Sequence, residues 1–207
     1  HAGFMREAVQ GLDLLMAGQQ QDFDALPEAD LGLVPFGPEG PAYLQYTSGS
    51  TSFPRGVEIT QQNVLNNLEE IARFGIELDA RDRFVSWLPF YHDMGLVGMV
   101  LAPLAAQLSV DYLDTRVFAM RPRRWLELMS KSRATISLGP PFGYDLVSRR
   151  LRPGEAQRFD LSNWRVAGVG AEMIRAETLD RFARRLAPAG FDPKSFLACY
   201  GMPECSL

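Results

Sequence analysis

The stretch Tyr46-Thr47-Ser48-Gly49-Ser50-Thr51-Ser52-Phe53-Pro54-Arg55-Gly56-Val57 decides how the rest of this chain is read. It sets small hydroxyls and glycines between apolar flanks and closes on a cation. That composition suits a loop wrapped around a polyphosphate. Glycine lets the backbone come close, N–H groups and hydroxyls donate to phosphate oxygens, and Arg55 adds a charge-assisted contact. The spacing is not that of a Walker loop, which requires G-x-x-x-x-G-K-[ST]. Taken alone, the same composition also suits an ordinary Ser/Gly surface turn.

Outward from this stretch, strand-like and helix-like runs alternate. Residues 43–47 are a strand candidate feeding the hydroxyl loop. Thr60 can cap a helix whose apolar face is Val64, Leu65, Leu68, Ile71 and Ala72, with Gly75 as its stop. Strands are expected over 83–88, 110–113, 134–138, 164–169 and 196–200. Helices are expected over about 122–132, 142–150 and 175–187, with Pro122 suited to a first turn. The apolar run 94–106 is too short to span a bilayer and contains Pro103, so it reads as a buried helix. Within it, Met94, Leu96, Met99 and Leu101 suit core packing better than the lining of a tunnel. Residues 1–18 could form a short amphipathic helix, and residues 19–41, rich in Pro, Gly and acid, read as a connecting loop. The pattern predicts an α/β fold with a mostly parallel sheet and flanking helices. In such sheets ligands bind beyond the carboxyl ends of the strands. Four polar motifs fall there: the hydroxyl loop, Pro89-Phe90-Tyr91-His92-Asp93, Gly170-Ala171-Glu172 and Gly201-Met202-Pro203-Glu204.

The bulk composition narrows the function classes. A formal net charge of −4 over 207 residues gives no electrostatic case for a nucleic-acid partner. The two cysteines, Cys199 and Cys205, are too few for a disulfide scaffold and lack metal-ligand spacing, so reduced thiols in a cytoplasmic protein are expected. No signal peptide and no transmembrane segment stand out. The arginine pairs at 123/124, 149/150 and 184/185 read as solvated helix faces. An α/β hydrolase is excluded by the lack of a G-x-S-x-G elbow.

At these motifs the chain resembles the adenylate-forming, AMP-binding superfamily: acyl-CoA synthetases, fatty acyl-AMP ligases and the adenylation domains of peptide synthetases. The hydroxyl loop is similar to the family's Y-T-S-G-S-T-G-x-P-K-G-V, and Tyr200-Gly201-Met202-Pro203-Glu204 to its Y-G-x-T-E. The stretch Trp87-Leu88-Pro89-Phe90-Tyr91-His92-Asp93-Met94-Gly95-Leu96 looks most like the fatty acyl-AMP ligase branch, as does Pro140-Pro141-Phe142-Gly143-Tyr144-Asp145-Leu146. The resemblance implies that a fatty acid carboxylate attacks the α-phosphate of Mg-ATP, and that the acyl group then passes to the thiol of an acyl carrier protein or of coenzyme A. It implies that Thr47, Ser48, Gly49, Ser50, Thr51 and Arg55 hold the β- and γ-phosphates and that Glu204 ligates magnesium. Tyr200 would pack on adenine, with Gly170, Ala171, Glu172, Gly201 and Met202 around the base. His92 would sit near the acyl carboxylate, and Gly139 and Pro140 would form part of the acyl-pocket wall.

Three residues depart from the family pattern: Ser52 in place of Gly, Arg55 in place of Lys, and Pro203 before the glutamate. Serine gives up the positive-φ freedom of glycine, and Arg is not equivalent to Lys at a tight site. They favour a second reading, a non-catalytic nucleotide- or acyl-binding module. The family's ribose-binding aspartate, hinge and lid domain with its lysine have no counterpart here. The chain therefore reads as a piece of a larger enzyme: an N-terminal helix and connecting loop over 1–41, and a partial AMP-binding domain over 42–207. Alone, it is expected to make no acyl-adenylate at a useful rate.

Overall fold

The computed structural model describes residues 20–27, 32, 34–47 and 55–207. The expected helix over 1–18 and the loop positions Ser48, Gly49, Ser50, Thr51 and Ser52 lie outside them. The chain divides into two units, residues 1–35 and 36–207. The first contains the short helix α1 (Gln20–Asp24), followed by a turn in which the Leu26 N–H donates to the Phe23 carbonyl.

The second unit opens with a hairpin. Strand β1 (Pro41–Thr47) pairs antiparallel with β2 (Arg55–Thr60), Thr47 opposite Arg55 and Tyr43 opposite Ile59. This corrects the expected equivalence of the four motif-bearing strands. The strand before the hydroxyl loop lies in this two-stranded sheet, not in the parallel one. The reason is local. Val57, Ile59 and Thr60 are β-branched, and folding them back on β1 pairs both strands' backbone groups at once. Helix α2 (Gln61–Glu70) then starts in a capping box: the Thr60 hydroxyl accepts from the Asn63 N–H, and the Asn63 side chain accepts from the Thr60 N–H. Its last turn, Ile71–Gly75, widens to π-helical hydrogen bonding. Val64 and Leu68 face inward as expected, but Leu65 is exposed. It sits about 100° round the helix from Val64, outside the stripe that meets the hairpin.

Five parallel strands follow: β3 (Arg83–Ser86), β4 (Ser109–Tyr112), β5 (Ile136–Gly139), β6 (Val166–Val169) and β7 (Phe196–Ala198), in the order β4-β3-β5-β6-β7. The α/β fold with a mostly parallel sheet is thus as the alternating pattern predicts. Between the strands run α3 (Asp93–Leu96), the π-helical turn Val97–Leu101, α4 (Ala102–Ala105), α5 (Thr115–Met120), α6 (Arg123–Ser132), α7 (Pro141–Arg150) and α8 (Ala176–Leu186). Neighbouring residues of β5 show that helices cover both faces. The Ser137 hydroxyl accepts from the Trp125 indole of α6 at 2.8 Å and donates to the Val85 carbonyl at 2.6 Å. Leu138, pointing the other way, lies against Gly98 of the Val97–Leu101 turn. Every residue of β5 and of β6 is buried, as a sheet covered on both sides requires.

The two faces are packed differently. On the α6, α7 and α8 side, Trp87, Trp125, Trp164, Tyr144, Phe118 and Phe182 form a continuous aromatic core, with Trp87 stacked on Phe118 at 3.7 Å. On the other side a smaller cluster of Ile59, Val64, Leu68, Val97 and Ala102 joins the hairpin to α2 and the Val97–Leu101 turn. That second side carries the site.

Candidate active site at the carboxyl ends of the strands

Three loops leave the carboxyl ends of β3, β6 and β7 and meet around a cavity of about 500 Å³. The β3 loop brings His92, which caps α3. Its Nδ1 lies 2.6 Å from Oδ1 of the buried Asp93, and the same oxygen accepts the Met94 N–H at 2.7 Å. The Met94 N–H also reaches Nδ1 at 3.3 Å, so Nδ1 is engaged by the protein and Nε2 is the nitrogen open to a ligand. The β6 loop brings Ala171, held at φ 68°. A non-glycine residue in this region is strained by about 1 kcal/mol or more and persists only where its surroundings impose it. Beside it, Gly170 has to be glycine on packing grounds, since a Cβ there would stand 2.4 Å from the Cys199 carbonyl oxygen. The β7 loop brings Cys199, Tyr200, Gly201, Met202 and Pro203. Tyr200 is 88% exposed although it lines the cavity. An aromatic ring left this open at a cavity mouth is a surface for stacking rather than part of the core.

Five of the expected site residues therefore come together at the cavity: His92, Ala171, Tyr200, Gly201 and Met202. The others stand around it. The Glu172 carboxylate turns away and accepts the Phe142 N–H at 2.8 Å, at the start of α7. Gly139 and Pro140 are not in the lining, and Gly139 abuts the indole of Trp87, where a Cβ would come within 2.9 Å. Thr47 pairs with Arg55 at the loop end of the hairpin, bracketing the undescribed loop residues Ser48, Gly49, Ser50 and Thr51. Glu204 is exposed in the short turn Pro203–Cys205, which lies beside both hairpin strands. The hairpin also reaches the β3 loop, where the Gln45 side chain donates to the Tyr91 carbonyl at 3.1 Å. The flanks of the hydroxyl loop, the glutamate turn and the histidine loop are thus mutual neighbours. Pro203 acquires a physical reason: it opens the 3₁₀ turn that carries Glu204, where its fixed φ fits and a backbone N–H is dispensable.

Several lining residues carry no mark in the sequence. Ile71, Gly75 and Ile76 come from the end of α2, Leu138 from β5, and Leu197 from β7. They read as ordinary helix and strand residues, and only the fold turns them toward one space. Met94 lines the cavity, whereas Met99 is fully buried core. Both π-helical turns, Ile71–Gly75 and Val97–Leu101, contribute to the lining, in keeping with the concentration of such turns at functional sites. Tyr43 has a buried hydroxyl without a hydrogen-bond partner among the described residues. Burial first, then the nearby Asp93 charge, raise its pKa. Burial likewise raises the Cys199 thiol, which argues against a reactive thiolate there. Among the described residues no cluster of three His, Cys, Asp or Glu side chains could enclose a metal. None of their helices is long and apolar enough to cross a membrane.

Residues 7–207 match the model of the AMP-binding enzyme family. A Caulobacter vibrioides protein with an acyl-CoA synthetase designation is 46% identical over 88% of this chain and 32% of its own length. The medium-chain-fatty-acid–[acyl-carrier-protein] ligase TtuA of Teredinibacter turnerae is 42% identical over 82% of this chain and 26% of its own. A solved structure of the fatty acyl-adenylate ligases from E. coli and L. pneumophila superposes with a TM-score of 0.84 at 58% identity, covering 89% of this chain and 34% of its own. The chain spans about a third or less of the length of these relatives.

Proposed function

The chain belongs to the AMP-binding enzyme family, and on that premise we propose that the whole protein activates a fatty acid as its acyl-adenylate and hands the acyl group to a thiol. One observation carries this reading: the lining of a single cavity joins the exposed His92, Ala171 and Tyr200 to the buried, apolar Met94 and Leu138. That gradient matches an acyl adenylate, whose nucleotide end is polar and whose tail is not. The names of relatives point the same way, to fatty acids and, for TtuA, to an acyl carrier protein as acceptor. Coenzyme A is the alternative acceptor, suggested by the acyl-CoA synthetase designation of the Caulobacter relative. The reading extends to the cytoplasm, supported by two free cysteines.

The arrangement of residues supports the following proposed mechanism. Tyr200 offers its ring to adenine, and the backbone of Ala171 and Gly201 closes round the base. A carboxylate oxygen of the fatty acid forms a bond to the α-phosphorus while the bond from that phosphorus to the bridging oxygen breaks, and pyrophosphate leaves. The protein's part is to hold the two anions together and in line, so positioning and charge neutralisation supply most of the rate. His92, its Nδ1 fixed on Asp93, is oriented to contact the acyl carboxylate through Nε2. Arg55, Thr47 and the loop between them hold the terminal phosphates. Glu204 fits a magnesium ion bound in the usual way, by one or two carboxylates together with substrate phosphates, and needs no enclosed cluster for it. Such an ion neutralises phosphate charge.

The test is ATP–pyrophosphate exchange by the full-length protein with fatty acids of several lengths. Exchange that depends on the acid, and falls roughly a hundredfold or more in Glu204→Gln, is the expected result. A folded protein that binds fatty acid but exchanges with none, and binds equally well as Glu204→Gln, would instead be the non-catalytic module that Ser52 and Arg55 favour.

A further inference from the structure

The cavity does not end beneath Tyr200. Its lining also includes Leu138, Leu197, Ile71, Gly75 and Ile76. Behind Gly75, Ile76 and Leu197 lies a second, smaller cleft of about 200 Å³, whose other residues include Glu77, Arg165 and Lys194. The same three residues therefore face two spaces, one largely apolar and one charged. We propose that this partition sets the length of acyl chain the site accepts, a proposal that rests on the fatty-acid reading above.

The physical argument is a difference in burial on the two sides. Each methylene that leaves water for the apolar cavity strengthens binding about fourfold. A methylene pushed past Ile76 gains little, because it meets charged side chains. Preference should then rise with chain length until the methyl end reaches Ile76 and Leu197, and stop there. The partition is also held in place. The Arg165 guanidinium donates to the carbonyls of Ile76 at 2.9 Å and Glu77 at 3.0 Å, while its Nε donates to the buried Asp82 at 2.8 Å. From the other side the Ile76 N–H donates to the Ile71 carbonyl at 2.9 Å, closing the π-helical turn. A wall fixed at both backbone groups measures length better than a side chain on a free loop. Gly75 provides the opposite adjustment. A Cβ built there meets nothing nearer than the Glu70 carbonyl at 3.7 Å, so the backbone leaves room for the first atom of a side chain.

The experiment is ATP–pyrophosphate exchange by the full-length protein with unbranched saturated acids from hexanoate to stearate, for the unaltered protein, Ile76→Ala and Gly75→Leu. Ile76→Ala should move the optimum to longer acids, with kcat/KM for an acid two carbons beyond the original optimum rising roughly tenfold, mainly through KM. Gly75→Leu should move it to shorter acids. Displacement of a bound fluorescent fatty acid by the same series gives the same ordering without turnover, and serves if either variant exchanges poorly. Exchange by the unaltered protein with an unchanged length profile in both variants overturns the partition alone. Absence of exchange and of fatty-acid binding in the folded, unaltered protein overturns the fatty-acid reading and the partition with it.

Discussion

The two ends of the parallel sheet are built on opposite principles. At the end where the strands begin, polar groups are tied to one another. The Thr135 hydroxyl accepts from the Arg83 N–H at 3.0 Å and donates to Asp82 at 2.7 Å, Arg165 donates to Asp82, and the Arg165 N–H bonds the Thr135 carbonyl at 2.9 Å. One buried carboxylate thereby locks the entries of β3, β5 and β6 together. At the end where the strands finish, polar and aromatic groups are left open. Tyr91 is 83% and Tyr200 88% exposed, and Ala171 is strained. The difference is one of satisfaction: one end ties its polar groups to one another, the other leaves aromatic groups exposed and a backbone strained.

Substitutions at the two ends should therefore be read out by different instruments. The largest effect on stability is expected for Arg165→Ala. It strands the Asp82 carboxylate in a buried site and frees the carbonyls of Ile76 and Glu77. Urea denaturation should show a loss of about 3–5 kcal/mol. A loss below about 1 kcal/mol would break the comparison. Ser137→Ala, in the core between the two ends, leaves the Trp125 indole N–H without its acceptor and should cost about 1–3 kcal/mol by the same measurement. Tyr200→Ala should behave in reverse. Stability should stay within about 0.5 kcal/mol, since the ring is largely exposed, while the KM for ATP rises roughly tenfold in the full-length protein. Unfolding of Tyr200→Ala as marked as that of Arg165→Ala would erase the distinction.

The smallest expected effect is a pH dependence. Burial alone would push the Asp82 carboxyl up, but Arg165, the Asp79 N–H and the Thr135 hydroxyl outweigh it and hold the pKa below the ordinary 3.8. A carboxylate lowered in the folded state stabilises fully above its unfolded value, and that stabilisation is lost as pH falls through the folded one. Stability should thus be flat in this respect at neutral pH and decline below about pH 4. Asp82→Asn, compared from pH 3 to 7, should show a shallower decline than the unaltered protein.

The site end was more legible in the sequence than the stabilising end. The candidate motifs are contiguous: residues 87–96, 170–172 and 200–204 are each read from one stretch, and the fold brings His92, Ala171, Tyr200, Gly201 and Met202 from them to one cavity. Asp82, Thr135 and Arg165 stand just before three different strands, and no local pattern links them. The helices were legible through their caps, as with Thr60, and through the spacing of their apolar residues. Strand β2 was not, because residues 48–54 make a connection longer than the roughly two to five residues by which hairpins are recognised. The cavity lining at Ile71, Gly75 and Ile76 was hidden for another reason. A π-helical turn has no sequence signature of its own, and it turns side chains out of the register that a regular helix would give them.

Ala171 has a consequence for anyone who would improve this protein by selecting for heat resistance. Its left-handed backbone is a site at which glycine would relieve strain. The folded state would lose a steric penalty, and the loop would lose the restriction that keeps it in one shape. A campaign that scores only survival at high temperature would be free to accept Ala171→Gly and, with it, a cavity wall less well formed in advance.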